Sequence, residues 1–295
     1  MTGAWTCTAP AKVNLCLYVG GTRHDGRHEL VSVMENVDLH DTVTLAPADI
    51  DEVICPGVEG PNLAAEAVAA FRTATGWDAP PVRIAIAKRI PIAGGMAGGS
   101  ADAAAALRLV AAAAGVQDPA LLEEIAAGLG ADVPSQVRGG RVLAEGAGER
   151  LTASRAREER AVLVVPLAAQ LSAGAVYTEF DRLGLQRAPD ELADLRARVA
   201  AAEGAEGVIA AGLVDNDLER PALELCPPIA EALRALDAAG AELARVSGSG
   251  PTVFGLFPAG ADLGPALAAV GGHACRLLAG DPAGRLPVHA EAAPA

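Results

Sequence analysis

Apolar and polar residues alternate near the start of the chain. Val13, Leu15, Leu17 and Val19 are interleaved with Lys12, Asn14, Cys16 and Tyr18. That period of two predicts a strand with one buried face, and it sets Lys12 and Asn14 together on the other. A turn-rich stretch covers residues 20–26, and residues 31–45 read as more strand, ending near Pro47. Asn62 is placed to cap an Ala-rich helix that runs through Phe71. After Pro81, the alternation of Val82, Ile84 and Ile86 predicts another strand. Residues 102–114 make an almost pure Ala/Leu helix. Asp118 and Pro119 supply the N-cap and first-turn proline of the next helix, which Gly128 and Gly130 stop.

A charged, loop-like stretch over residues 154–160 divides the chain into domains of residues 1–155 and 156–295. In the second half, residues 161–166 form an apolar strand, and residues 192–202 and 228–239 read as helices. Short strands over 243–246 and 252–257 flank a glycine-containing turn, followed by a helix over 263–270 and a strand over 275–278. The tail beyond Asp281 reads as loose. Strands and helices segregated in this way predict an α+β fold.

Composition narrows the function classes. The chain has 295 residues, enough for two modest cores, and 51% of it is hydrophobic, much of that alanine. Its net charge of −14 makes it a poor general binder of nucleic acid or of an anionic membrane. Any phosphate site has to be local, built from backbone N–H groups and a few cations. No apolar run is long enough to predict a membrane span, and the N-terminus lacks the regions of a signal peptide. Five widely spaced cysteines without a CxxC pair predict reduced thiols in a cytoplasmic protein, and neither a disulfide framework nor a zinc site.

The chemistry concentrates in a glycine-rich run between a predicted strand and a predicted helix. It consists of Pro91, Ile92, Ala93, Gly94, Gly95, Met96, Ala97, Gly98, Gly99 and Ser100. Glycines let backbone N–H groups converge and let an anion approach closely, and the helix start adds positive potential. The run is not a Walker A loop, because Ser100 and Ala101 stand where Lys and Ser/Thr are required. It is neither a dinucleotide fingerprint nor a nucleophile elbow. Three further features accompany it. Asp132 lies in Leu-Gly-Ala-Asp-Val-Pro, where an Asp ordinarily caps a helix or sits in a solvated turn. Lys12 lies beside Pro10 and Ala11 and shares a strand face with Asn14. Ser247, Gly248, Ser249 and Gly250 precede Pro251 in a segment that suits either a tight turn or an anion contact.

The ordered set Pro-Ala-Lys-Val-Asn, Pro-Ile-Ala-Gly-Gly-Met-Ala-Gly-Gly-Ser, Leu-Gly-Ala-Asp-Val-Pro, Asn-Asp-Leu-Glu and Val-Ser-Gly-Ser-Gly-Pro resembles the GHMP kinase superfamily. The motifs spread from residue 9 to about residue 257 and so cover most of the chain. The resemblance implies a two-domain GHMP kinase fold, its N-terminal domain like ribosomal protein S5 domain 2 and its C-terminal domain ferredoxin-like. It implies ATP and Mg²⁺ as cofactors and an alcohol as phosphoryl acceptor. Asp132 would be the catalytic base, with Lys12 beside it. Residues 91–100 would cradle the phosphates, with Ser100 a candidate Mg²⁺ contact, and residues 247–250 would close the site. Asn62 would line the adenine pocket.

Within the family, Asp-Gly-Arg-His at residues 25–28 points to the branch that phosphorylates a cytidine diphosphate-linked alcohol in non-mevalonate isoprenoid synthesis. It argues against the homoserine and mevalonate branches. Asn14, Arg27, His28 and Tyr177 would then contact substrate, His28 at the cytosine edge and Tyr177 stacked on the base. The family carries an aromatic where Arg27 stands, and a guanidinium can stack on a base or pair with a diphosphate. A kinase of another small alcohol, or a non-catalytic nucleotide-binding regulator, are the alternative readings. Monomer and homodimer are both open.

Overall fold

Residues 3–92, 94–154, 160–204, 211–278 and 288–291 are described by the computed structural model. The chain begins with a long hairpin, β1 (Ala4–Thr22) and β2 (His28–Pro47). Because β2 is 20 residues long, it serves two further neighbours along its free edge. Its first part pairs with β5 (Arg141–Gly146), which in turn pairs with β6 (Arg150–Ala153). Its last part pairs with β4 (Val82–Ala87), and β4 carries β3 (Glu52–Ile54) in parallel.

The alternation in β1 does not produce the single apolar face that the pattern predicts. Asn14 pairs with Met34 and Cys16 with Val33, so Leu15 is an extra residue, a β-bulge. A bulge shifts the two-residue phase and sends the following side chains to the opposite face. Ala9, Ala11 and Val13 ahead of it, and Cys16 and Tyr18 beyond it, belong to one core. Leu17 and Val19 belong to the other. Lys12 and Asn14, out of phase with Val13, are thereby on the side of Leu17 and Val19. Both faces are covered, and Lys12 and Asn14 are only 5% and 3% exposed.

Four helices pack with this sheet: α1 (Leu63–Thr75), α2 (Gly98–Ala114), α3 (Pro119–Ala127) and α4 (Val133–Arg138). Asn62 caps α1 as predicted, its side chain accepting from Ala64 N, and Asp118 caps α3 by accepting from Leu121 N. Helix α2 begins at Gly98, four residues ahead of the expected start, because Ala97 turns the chain into the helix from the left-handed region. Its residues from Ala101 to Ala111 are all buried. Alanine lets this helix lie close to its neighbours, and its one buried arginine, Arg108, donates to the carbonyls of Gln136 and Thr8.

The second half contains β7 (Ala161–Val165), α5 (Ala173–Leu183), α6 (Pro189–Gly204), α7 (Glu219–Leu225), α8 (Pro228–Ala238), β8 (Leu243–Val246), β9 (Val253–Phe257), α9 (Gly264–Val270) and β10 (His273–Arg276). Its strands pair in the order β10-β7-β9-β8, all antiparallel. Taken as first to fourth in chain order, they lie fourth-first-third-second, with helices after the first and third, which is a ferredoxin-like arrangement. The α+β class and the two-domain fold are as predicted.

Two expectations change. Part of the tail expected to be loose is β11 (Val288–Glu291), which pairs with residues Ala4 to Cys7 and fills the open hydrogen-bonding edge of β1. In addition, α6 leaves its own half: Leu192, Leu195 and Val199 pack into the core built on β1 and α2. The predicted boundary at 155/156 lies outside the described residues.

A buried ion pair fixes α6 on the sheet. Arg141 of β5 donates Nε to Glu203 Oε2 at 2.9 Å and Nη2 to Glu203 Oε1 at 2.5 Å. Both side chains are nearly inaccessible, and the two-pronged geometry matches a planar guanidinium to a carboxylate. Arg141 Nη1 also reaches the buried Glu35 Oε2 at 3.5 Å, so removing Glu203 strips the guanidinium of its two-pronged partner and leaves it only this long contact among the described residues. Glu203→Ala is therefore expected to destabilise the fold by about 3–5 kcal/mol, read as a lowered midpoint in urea unfolding. A change under about 1 kcal/mol, the range of exposed pairs, would assign the pair no such role.

Candidate active site

A cavity of about 600 Å³ opens where β1, the glycine run and the turn between β8 and β9 meet. Lys12 and Asn14 reach it from β1, just ahead of the bulge. Lys12 Nζ donates to Asn14 Oδ1 at 2.6 Å and stands 3.6 Å from Asp132 Oδ2. Asn14 is held in turn, its Nδ2 donating to Ser32 Oγ, which donates to the Cys16 carbonyl. Asp132 is the residue before α4, makes no side-chain cap bond, and keeps its carboxylate one-third exposed toward the cavity. It does not take the ordinary capping role of an Asp in such a turn. A half-open carboxylate beside a buried ammonium can take a proton from a bound hydroxyl while the ammonium offsets negative charge arriving nearby.

The glycine run forms the adjoining wall. Gly94, Gly95, Met96, Ala97, Gly98 and Gly99 line the cavity with Pro91 and Ile92, and Ala93 lies outside the described residues. Ala97 has φ 55°, an uncommon value for a residue with a side chain, and its side chain gives no cap. The first turn of α2 contains no acidic residue. The N–H groups of Gly98, Gly99 and Ser100 thus begin the helix without intrahelical acceptors, next to the positive end of its dipole. The run is tied to β1 by a hydrogen bond from Lys12 N to the Met96 carbonyl at 3.3 Å.

The second glycine loop reaches the same place from the other domain. It is a tight turn, with Gly250 N on the Ser247 carbonyl and Ser247 N on the Thr252 carbonyl, both at 3.0 Å. It also lines the cavity through Gly248 and Ser249. Thr252 Oγ1 donates to the Gly94 carbonyl. Gly95 has φ 74°, and a Cβ on it would lie 2.4 Å from the Gly250 carbonyl oxygen, so only glycine lets the two loops touch.

The remaining predicted residues divide. Asn62 lines the cavity together with Cys55, Val58, Pro61 and Leu63, while its Oδ1 caps α1. Tyr177, on α5, also lines the cavity. Burial pushes its phenol up to about 12, with the Asp132 charge adding to the rise. His28 stacks on Tyr177 at 4.9 Å, and its Nε2 is 2.8 Å from Asp181 Oδ1. Arg27 is half exposed and turned to Asp25, with Nη2 to Oδ2 at 3.1 Å. Arg27, His28, Ser100, Ser247 and Gly250 are not among the residues lining the cavity.

Two lining residues escaped the sequence reading. Lys88 Nζ lies between Asp41 and Asp102, at 2.5 and 2.8 Å, beneath the start of α2. Asp102 was part of the Gly-Gly-Ser-Ala-Asp run but looked like one more helical residue. Nothing in the spacing of positions 41, 88 and 102 foretold that they meet. Burial pushes the Asp102 carboxyl up to about 7 against the pull of Lys88, and the Asp41 charge adds to the rise. Burial also opposes the Lys88 charge, but its hydrogen bonds to both carboxylates raise its pKa above the usual lysine value. Asp102 Oδ1 is buried without a hydrogen-bond partner.

Residues 62–140 match the family model for the GHMP kinases N terminal domain, and residues 197–273 match that for GHMP kinases C terminal. Over 256 residues the chain is 44% identical to the 4-diphosphocytidyl-2-C-methyl-D-erythritol kinase of Streptomyces avermitilis, spanning 84% of this chain and 86% of that one. With the enzyme of the same name from Anaeromyxobacter dehalogenans it is 42% identical over 275 residues, 89% of this chain and 84% of that one. A crystal structure of 4-(cytidine 5'-diphospho)-2C-methyl-D-erythritol kinase superposes with TM-score 0.74 at 31% identity, covering 93% of this chain and 100% of that one. The homoserine kinase of Cytophaga hutchinsonii shares the fold, with TM-score 0.69 at 19% identity over 92% of this chain and 89% of that one.

The raised Asp102 has a measurable consequence. The folded state holds this proton up to about pH 7, whereas the unfolded chain releases it near the ordinary value of 3.8. Between those values the folded state binds more protons, so this group's contribution to stability falls as pH rises. In melting scans from about pH 4 to pH 8, the wild-type midpoint should fall relative to that of Asp102→Asn, which cannot ionise. Parallel curves would mean that Asp102 is ionised in both states.

Proposed function

The chain belongs to the GHMP kinase family and is an ATP-dependent phosphotransferase, and from that premise we infer that it phosphorylates the 2-hydroxyl of 4-diphosphocytidyl-2-C-methyl-D-erythritol. The observation that carries the reading is the Lys12–Asp132 pair at the junction of the two glycine loops, inside the cavity that both loops line. The names of the relatives supply the acceptor.

Asn62 and Ile92 lie where adenine would enter, and the bare N–H groups at the start of α2 face the triphosphate. Gly248 and Ser249 meet the phosphates from the second domain. The acceptor lies on the Tyr177 side, with its hydroxyl toward Asp132. Asp132 takes the hydroxyl proton as the oxygen attacks the γ-phosphorus, and the bond to the β,γ-bridging oxygen breaks so that ADP leaves with its electron pair. The Lys12 ammonium, fixed by Asn14, stays beside both and offsets the negative charge that gathers there. His28, in contact with Tyr177, is placed to reach the edge of the cytosine ring.

Mg²⁺ accompanies ATP in this chemistry and spreads the charge of the transferring group. Among the described residues no group of three acidic, His or Cys side chains could cage an ion. The residues fit an ion held mainly by phosphate oxygens and water, which needs only one or two protein oxygens. The unpartnered Asp102 Oδ1, on a residue lining the cavity, and the Ser100 hydroxyl would supply them.

The test is ADP release by the purified chain with Mg²⁺-ATP and 4-diphosphocytidyl-2-C-methyl-D-erythritol. Asp132→Asn is expected to lower kcat by about 10²–10⁴ with little change in ATP affinity, the range for losing a general base. A near-normal kcat would remove Asp132 from that role. No turnover of this acceptor by the wild type, with turnover of homoserine or mevalonate, would overturn the substrate assignment.

A further inference from the structure

The Asn-Asp-Leu-Glu segment at residues 216–219 is bonded both to the strand that carries Lys12 and to the second glycine loop. On one side, Leu17 N donates to the Asp215 carbonyl at 2.8 Å, and Asp217 N donates to the Leu17 carbonyl at 2.9 Å. Asp217 Oδ2 accepts from Val19 N at 2.8 Å. On the other side, Glu219 Oε2 accepts from Val246 N at 3.0 Å. Asn216 stands between, 4% exposed. Its Nδ2 donates to the carbonyls of Val246 and Gly248, both at 2.8 Å, and its Oδ1 accepts from Leu218 N at 2.9 Å.

That set of partners calls for two donors and one acceptor on a short side chain, and a primary amide meets it. Aspartate offers acceptors only and would set a charged oxygen against two carbonyls. The Gly248 carbonyl is the one that matters for chemistry. Gly248 has φ 59°, and a Cβ there would lie 3.2 Å from Asn14 Oδ1 and 3.7 Å from Lys12 Nζ. This loop therefore runs against the Lys12–Asn14 pair, and Gly248 and Ser249 line the cavity. A trans peptide points its C=O and N–H in opposite directions. With the Gly248 carbonyl drawn to Asn216, the Ser249 N–H is aimed away from Asn216. A flip of this glycine-containing peptide would instead present a carbonyl, which repels phosphate.

We propose that Asn216 is a positioning residue of the phosphate site: it holds the Gly248–Ser249 peptide with its carbonyl turned away from the anion and its N–H turned toward it. The proposal deepens the kinase reading and rests on it for the identity of the anion as the ATP phosphates.

The experiment compares ATP and adenosine binding by calorimetry in wild type, Asn216→Asp and Asn216→Ser, alongside melting midpoints. Adenosine has no phosphate and reports on the adenine end alone. In Asn216→Asp, ATP affinity should fall about tenfold or more, the range for a hydrogen bond to a charged group, while adenosine affinity holds. Asn216→Ser keeps one donor and should lose less. Equal losses for ATP and adenosine, or no loss for either, would overturn the proposal. So would failure of both variants to fold, which would make Asn216 a folding residue. Absence of ADP release by the wild type with every acceptor would sink the kinase reading, while the two binding arms still report on Asn216.

Discussion

One extra residue in β1 underlies both the packing and the site. Leu15 has no partner on β2, and the shift it introduces turns Leu17 and Val19 toward the second core while Cys16 and Tyr18 stay with the first. A strand buried on both faces is costly for polar side chains unless each is bonded. Lys12 and Asn14 meet that condition through each other, Ser32 and Asp132. The strand thus serves as a wall between two domains and as the mount for Lys12 and Asn14. The rigidity of that wall gives the ammonium a defined position.

The two glycine loops depend on that wall as well. Each is bonded to β1, the first through Lys12 N to Met96 and the second through Asn14 N to Ser247 Oγ. They then meet each other where Gly95 faces the Gly250 carbonyl. Neither domain by itself lines the whole cavity. The contact requires the absence of a side chain at position 95, so the glycines act here through clearance as much as through flexibility.

The electrostatics are local, as a chain of net charge −14 demands. The open start of α2, the buried Lys12 and the partly exposed Lys88 bring positive potential to the cavity. Lys12 is balanced by Asp132. Lys88 is balanced by two carboxylates, one of which burial keeps near neutrality in its titration. The two lysines thereby differ in the carboxylate charge that faces them.

The sequence by itself determined the elements with strong local signals. The caps at Asn62 and Asp118, the strand of Val82, Ile84 and Ile86, and the glycine run at a helix start are all consequences of nearby residues. The ordered motifs led to the family, and with it to Lys12, Asp132, Asn62 and Tyr177 as partners across the chain. Only the tertiary structure decided what depends on contacts between distant segments. The phase of β1 turned on a bulge that alternation does not record, and α6 joined the first core through a buried pair with Arg141. The Lys88 cluster and the brace at Asn216 were equally silent, because no spacing along a chain encodes which buried polar groups will find one another. Arg27, by contrast, pairs with Asp25, only two residues before it. Local propensity acts over a few residues, whereas burial, charge pairing and loop clearance are properties of surfaces that form only when the chain has folded.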